Sequence, residues 1–335
     1  MTLLQISLAI LALVLCIGVL KFDTFLTFIL VSIGLGLARQ MDVPLIGKAI
    51  QTGIGNTLGD LTLIIGFGAM LGKFVADSGA ATRITQALVQ LFGKKHLRWG
   101  MALAGFIIGI PLFYNAGFVI AVPLVFAVAV QTNLPVIPLG ISMLAALSVA
   151  HGYLPPHPSP AAIAQQLHAD LGKTLFYGIC VAIPAIALAG PIFGSQLSKI
   201  ISPIPEEYQQ SNQVKSEGAS LPSLGTSLFV ALLPVFLLSG AGIFKEHFGQ
   251  IALFQLLSEP YMSMFLSLLV AIYFLGIRKG KSMKDISKSI EEAFKSIAMM
   301  MLIIAGAGAL KEIMAVSRIS FELGNSLRDL PVHPL

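Results

Sequence analysis

Residues 99–169 contain no Asp, Glu, Lys or Arg. A bilayer core is crossed by about 20 apolar residues, so this run is long enough for more than one crossing. It is not uniformly apolar. It is interrupted by Gly109-Ile-Pro-Leu-Phe-Tyr-Asn-Ala-Gly117 and by His151-Gly-Tyr-Leu-Pro-Pro-His-Pro-Ser-Pro160. Proline removes a backbone donor and clashes with the preceding turn, so each string predicts a broken helix. Broken backbone survives at membrane depth only where it is buried in protein or lines a wet cavity. The rest of the chain is therefore expected to build a setting for these two breaks.

Composition extends this reading to the whole chain. The 335 residues are 56% hydrophobic and 11% charged, with mean hydropathy +0.87, whereas soluble domains carry about 25% charged residues. The chain is expected to be an all-α polytopic membrane protein. Its net charge of +5 then marks cytoplasmic loops, chiefly Lys94, Lys95, Arg98 and Arg278, Lys279, Lys281, Lys284, and not a nucleic-acid surface. Cys16 and Cys180 lie in apolar sequence and read as small hydrophobes. The first apolar run, 3–20, has no basic region before it and reads as a retained span.

Further apolar runs are expected at 24–38, 61–75, 101–112, 117–130, 136–150, 174–192, 228–243, 251–276 and 297–310, with a short helix at 160–171. Residues 51–60, Gln-Thr-Gly-Ile-Gly-Asn-Thr-Leu-Gly-Asp, are too polar for a lipid-facing helix and predict a turn or re-entrant segment. The basic run 278–288 and the polar segment containing Glu206 and Glu207 read as solvated loops. Leu63-Ile-Ile-Gly-Phe-Gly-Ala-Met70 is similar to Ile303-Ile-Ala-Gly-Ala-Gly-Ala-Leu310, which predicts two repeats. The expected division is a first transmembrane repeat at 1–195 holding both breaks, a polar inter-repeat loop at 196–226, and the start of a second, incomplete repeat at 227–335.

The candidate site follows from the breaks, because discontinuous helices form the midplane binding sites of secondary transporters. Tyr114 and Asn115 offer a hydroxyl and an amide to substrate; alternatively Asn115 caps a helix end. His151 and His157 titrate near neutral pH in a stretch without carboxylates, which makes them candidates for both substrate binding and proton coupling. The alternative is that they bond to carbonyls of a proline-stiffened loop. Gly53, Gly55 and Gly59, with Asn56 and Thr57, would let backbone N–H groups approach an anion at the start of a helix near Leu61, although Asp60 would repel it. Lys73 and Asp77 share a helical face. Asp77 is the leading carboxylate for proton coupling, and its alternative role is an interfacial ion pair. No nucleophile elbow, phosphate loop or metal-spaced His/Cys set is present. No enzyme activity, cofactor, metal or nucleic-acid partner is expected.

These strings together resemble one family. Gly55-Asn-Thr-Leu-Gly59, Gly68-Ala-Met-Leu-Gly-Lys73, Asp77-Ser-Gly79, Gly109-Ile-Pro-Leu-Phe113, Gly117-Phe118 and His151-Gly-Tyr-Leu-Pro-Pro-His-Pro158 are similar, in order, to motifs of the bacterial gluconate:proton symporter (gluconate permease) family. The resemblance is strongest over 45–195. It implies an inverted-repeat secondary transporter of the bacterial inner (plasma) membrane with re-entrant or broken helices, taking up gluconate, idonate or a related sugar acid with a proton; one branch carries D-serine. Gly117 joins the substrate-binding candidates on this basis, and a homodimer is expected by analogy. Family members are longer, so the second repeat is expected to be short at its C-terminal end. The chain departs from the family at Asn115, where an acid is frequent. Asparagine cannot take a proton, which leaves an uncoupled facilitator, an inactive truncated permease or, more remotely, a membrane enzyme acting on lipid as alternatives.

Overall fold

The structure is a computed structural model. It describes residues 2–200, 202, 221–248, 250, 251, 255–257 and 259–328, with backbone alone for 2, 241–248, 323 and 325–328. Of the expected loop at 196–226, residues 201 and 203–220, including Glu206 and Glu207, lie outside the described residues.

The described residues form helices and no strand. In chain order they are α1 (Thr2–Val14), α2 (Thr24–Ala38), α3 (Val43–Asp77), α4 (Ala80–Phe92), α5 (Leu97–Gly109), α6 (Tyr114–Thr132), α7 (Val136–Tyr153), α8 (Pro158–Gln166), α9 (Leu171–Ala187), α10 (Phe193–Gln196), α11 (Leu224–Phe248), α12 (Pro260–Ala271), α13 (Met283–Val316) and α14 (Ile319–Arg328). Single π-helical turns extend α1, α9 and α12. Six of the described helical runs are long and apolar enough to cross a membrane: Val43–Asp77, Tyr114–Thr132, Val136–Gln166, Leu171–Gln196, Pro260–Lys279 and Met283–Val316. Lipid-facing side chains suit this reading: on α9, Tyr177, Val181 and Leu188 are exposed while Leu175, Ala182 and Ile186 are buried.

Two expectations are corrected. Residues 51–60 are not a turn; they belong to the continuous 35-residue α3. Glycine lowers helix propensity by only about 1 kcal/mol, and no proline follows Pro44 in that helix, so the backbone ladder persists. The basic run also does not remain a loop throughout. Helix α13 starts at Met283, fourteen residues before the expected span, because Ser282 and Asp285 cap it. Ser282 N and Oγ both donate to Asp285 Oδ2, at 3.1 and 2.6 Å, and Asp285 N donates to Ser282 Oγ at 3.2 Å. That reciprocal arrangement satisfies donors the helix itself leaves free.

The chain divides into two compact units, residues 1–62 with 297–335, and residues 63–296. In the first, Leu35, Ile46, Ala49, Ile313 and Ile319 form a buried core. A Cβ at Gly53 would run into the Gly308 carbonyl, and one at Gly308 into Thr57, so these glycines allow two helices to touch backbone to backbone. Asp23 caps α2 by accepting from Leu26 N at 3.0 Å, and Arg39 Nη2 bonds Glu322 Oε1 at 2.7 Å and Ser317 O at 3.1 Å.

In the second unit, α5 packs on α7. Gly105 lies against the Met143 carbonyl, and Gly109 against Leu147 and Ala150. The four-residue spacing of the two glycines puts both on one face, and only a missing side chain permits so close a crossing. Met101, Ile108, Leu139, Met143 and Leu147 are essentially fully buried around it. Helix α5 has 13 residues, about 20 Å of helix, so it is shorter than the roughly 30 Å of a hydrocarbon core.

Local structure also recurs along the chain. Gln40, with φ 55°, precedes the 35-residue α3, which ends at Asp77, two residues before Gly79, with φ 75°. Gly280, with φ 81°, precedes the 34-residue α13, which ends at Val316, two residues before Arg318, with φ 61°. A short helix follows each.

Candidate functional site

The first break spans residues 110–113. Helix α5 ends at Gly109, and Phe113 is extended (φ −61°, ψ 146°) before α6 starts at Tyr114. Gly117 N re-enters the helical ladder by donating to Phe113 O at 2.8 Å. The second break spans 154–157. Helix α7 ends at Tyr153, the Pro155-Pro156 bond is cis, and His157 is extended (φ −61°, ψ 149°) ahead of α8. Pro158 opens α8, where its missing N–H is no loss.

The two breaks meet. His157 is 2% exposed, and its Nε2 lies 2.7 Å from the Gly109 carbonyl oxygen. A carbonyl only accepts, so this ring nitrogen carries the proton. The bond satisfies a carbonyl that the end of α5 leaves free. His157 Nδ1 faces His151 Nδ1 at 3.2 Å, and the Tyr114 N–H donates to the same His151 nitrogen at 3.4 Å. The imidazole centroids are 4.6 Å apart. Phe113 stands edge-on to both, at 6.2 Å from His151 and 5.7 Å from His157. Tyr114 flanks His151 at 6.3 Å. Two titratable rings thus sit between helix ends in sequence without a formal charge, where any charge acquired by the pair must be met by dipoles or a bound ion.

The other candidates are dispersed. Asn115 adjoins Tyr114 and is exposed. Gly117 is buried, and a Cβ there would meet the Leu147 side chain at 2.7 Å; it seats α6 on α7. Asp77 belongs to a second cluster in the same unit. Lys73 Nζ lies 3.1 Å from Asp77 Oδ1 and 2.9 Å from Glu292 Oε2, and Ser289 Oγ lies 3.4 Å from Asp77 Oδ2. Ser289 is buried, the three charged side chains are partly exposed, and together they tie α3 to α13. Asn56 and Thr57 are in the interior of α3, Asn56 exposed and Thr57 against Gly308. No helix starts near Leu61, so no helix N-terminus is available to an anion there.

Sequence reasoning missed two participants. The Gly109 carbonyl carries no side-chain signal, though a glycine closing a helix just before Ile-Pro marks a free carbonyl. Glu292 was hidden by reading the start of α13 as a loop; the Ser282-Met-Lys-Asp285 cap was the available cue. Among the described residues no group of three His, Cys, Asp or Glu side chains is placed to hold a metal ion.

The comparisons agree on one class of protein. The model of the GntP family permease matches residues 1–335. The chain is 39% identical to the high-affinity gluconate transporter of Escherichia coli K12, over 100% of this chain and 77% of that protein. It is 40% identical to the gluconate permease of Bacillus subtilis 168, over 94% and 73%. It is 37% identical to the L-idonate transporter of the Gnt-II system of Escherichia coli K12, over 97% and 74%. No solved structure matches the chain. With its apolar helices and family-wide match, the chain is a multi-pass inner-membrane transporter rather than an enzyme, and it belongs to the GntP permease family.

Proposed function

We propose that this protein takes up gluconate or a closely related sugar acid by proton symport. The observation that carries the proposal is the closure of the two helix breaks onto one another through His157, Gly109, His151 and Tyr114. A transported anion needs polar groups at membrane depth, and a proton needs a titratable carrier; this cluster supplies both in one place. The named activities of the relatives, gluconate and L-idonate transport, point to a polyhydroxy acid. We assign substrate contact to Tyr114, Asn115 and His151, with His157 positioning the His151 ring and Gly117 holding α6 in place. The histidines are the preferred proton carriers. Asp77, already paired with Lys73, is the carboxylate next in line. Asn56 contributes an exposed amide on α3, and Thr57 a helix contact.

We also read the chain as two related repeats, with α3 and α13 as counterparts. The recurring left-handed residues and near-equal helix lengths support this, in line with the division 1–195 and 227–335. Alternating exposure of the site would come from one repeat moving against the other.

The test is uptake by cells lacking their own gluconate transport. Gluconate and idonate should accumulate, whereas lactate-like acids and D-serine should not, and a protonophore should abolish accumulation. Asn115, a side chain at the first break that cannot take a proton, favours one rival, an uncoupled facilitator. Uptake that persists unchanged with the protonophore would establish that rival and end the symport reading.

A further inference from the structure

We propose that His151 and His157 act as a single-proton dyad whose protonation creates the binding site for the substrate carboxylate. This rests on the symport reading above and adds to it a stoichiometry, a division of labour between the rings, and a role for the Tyr114 amide.

The protons and lone pairs of the cluster can be counted. The Gly109 carbonyl fixes a proton on His157 Nε2, so neutral His157 presents a bare Nδ1. His151 Nδ1 lies within reach of that nitrogen, at 3.2 Å, and of the Tyr114 N–H, at 3.4 Å. A neutral imidazole nitrogen either donates or accepts. If His151 Nδ1 accepts from Tyr114, two lone pairs face each other across the dyad. If it donates to His157 Nδ1, the Tyr114 N–H loses its acceptor. The neutral dyad is therefore frustrated, and one added proton resolves it. His151, the less buried ring, is the one that carries the charge, because burying a charge is costly. His151 Nδ1–H then donates to His157 Nδ1, and the imidazolium turns the Tyr114 N–H away from itself. The result is a cation beside a free backbone donor at the first turn of the 19-residue α6, which suits a carboxylate.

The charges balance in the loaded state. A neutral dyad takes one proton and one monocarboxylate, and the complex is neutral. On release the anion leaves, the proton leaves from His151, and Tyr114 N–H returns to His151 Nδ1. His157 is the positioning residue, its tautomer set by Gly109. Tyr114 is the titratable side chain packed on the rings from α6. Helices α5, α6, α7 and α8 bring no Asp, Glu, Lys or Arg from 99–169. The charged residues on these and the flanking helices include Arg98 at the start of α5, which donates to Ser198 Oγ, Arg83 of α4, Lys73 and Asp77 of α3, engaged with Glu292, and Lys173 of α9, whose backbone N–H is capped by Asp170.

The experiment uses the purified chain in proteoliposomes with radiolabelled gluconate. A pH difference of one unit should sustain about tenfold accumulation, as one proton requires; two protons would give about a hundredfold. A potassium diffusion potential set with valinomycin, at equal pH on both sides, should drive none. Accumulation driven by that potential alone overturns the dyad while leaving symport intact. His151→Asn should abolish pH-driven accumulation and flatten the pH profile of uptake. His157→Asn should shift that profile and raise KM more than it lowers kcat. Unaltered pH profiles in both variants overturn the proposal. Should either variant fail to fold, the voltage and accumulation measurements on the unmodified protein still decide it. Absence of any gluconate or idonate uptake by the unmodified protein would instead refute the function on which the dyad rests.

Discussion

Residues 51–60 and the two breaks carry similar signals, glycine and neutral polar side chains inside membrane-length apolar sequence, yet they fold oppositely. The first lies in an unbroken helix, while the others interrupt α5–α6 and α7–α8. Proline is part of the difference, though not sufficient alone, because Pro123, Pro184 and Pro234 stand inside unbroken helices. Glycine weakens a helix without removing a hydrogen bond, whereas Pro111, Pro155, Pro156 and Pro158 remove donors, and Leu154 and His157, each just ahead of a proline, are extended. The two kinds of glycine then serve different ends. Gly53 and Gly308 let helices touch, and Gly109 both touches α7 and presents a carbonyl to His157.

This contrast can be broken in four ways. His157→Leu should have the largest effect. It leaves the Gly109 carbonyl without its partner in a buried site, a cost of about 1–3 kcal/mol, and it should abolish gluconate uptake; a Tm equal to that of the unmodified protein would mean the two breaks are not joined through this ring. Gly105→Val comes next. Its side chain would run into the Met143 carbonyl, and overpacking of this kind costs about 1–3 kcal/mol. Poor yield and an early-melting fluorescence trace are expected, and normal behaviour would refute the α5–α7 crossing.

Asp77→Asn sharpens the comparison between the two titratable clusters. Lys73 keeps Glu292 as a partner, and partly exposed pairs contribute little, so a small fall in Tm with pH-driven uptake preserved is expected. Loss of that uptake would move the proton from the imidazoles to the carboxylates. The smallest effect belongs to Gly55→Ala. No atom stands within 4 Å of an added Cβ, and alanine improves helix propensity by about 0.5–1 kcal/mol. A slight rise in Tm with unaltered uptake is expected, whereas a damaged protein would return residues 51–60 to a special backbone.

Much of the architecture was legible in the residues. Helix α2 coincides with the run expected at 24–38, because Asp23 caps it and Lys21 and Arg39 bound it. The breaks were legible because proline acts locally. Asn56 and Thr57 were misread for the same reason in reverse: their Gly-rich surroundings resemble a phosphate-binding turn, but no local element ends the helix there. Glu292 was out of reach because its partner Lys73 is distant in sequence.

The sequence by itself therefore determined the apolar helices, their caps and the points where proline stops them, since these follow from sterics and hydrogen bonding within a few residues. Only the tertiary structure decided that Gly109, His157, His151 and Tyr114 converge, and that Asp77 is held by a lysine already shared with Glu292. Such meetings depend on how closely α5 can approach α7 and α3 can approach α13. That approach is set by side-chain volume at crossings between segments far apart along the chain, which no local pattern encodes.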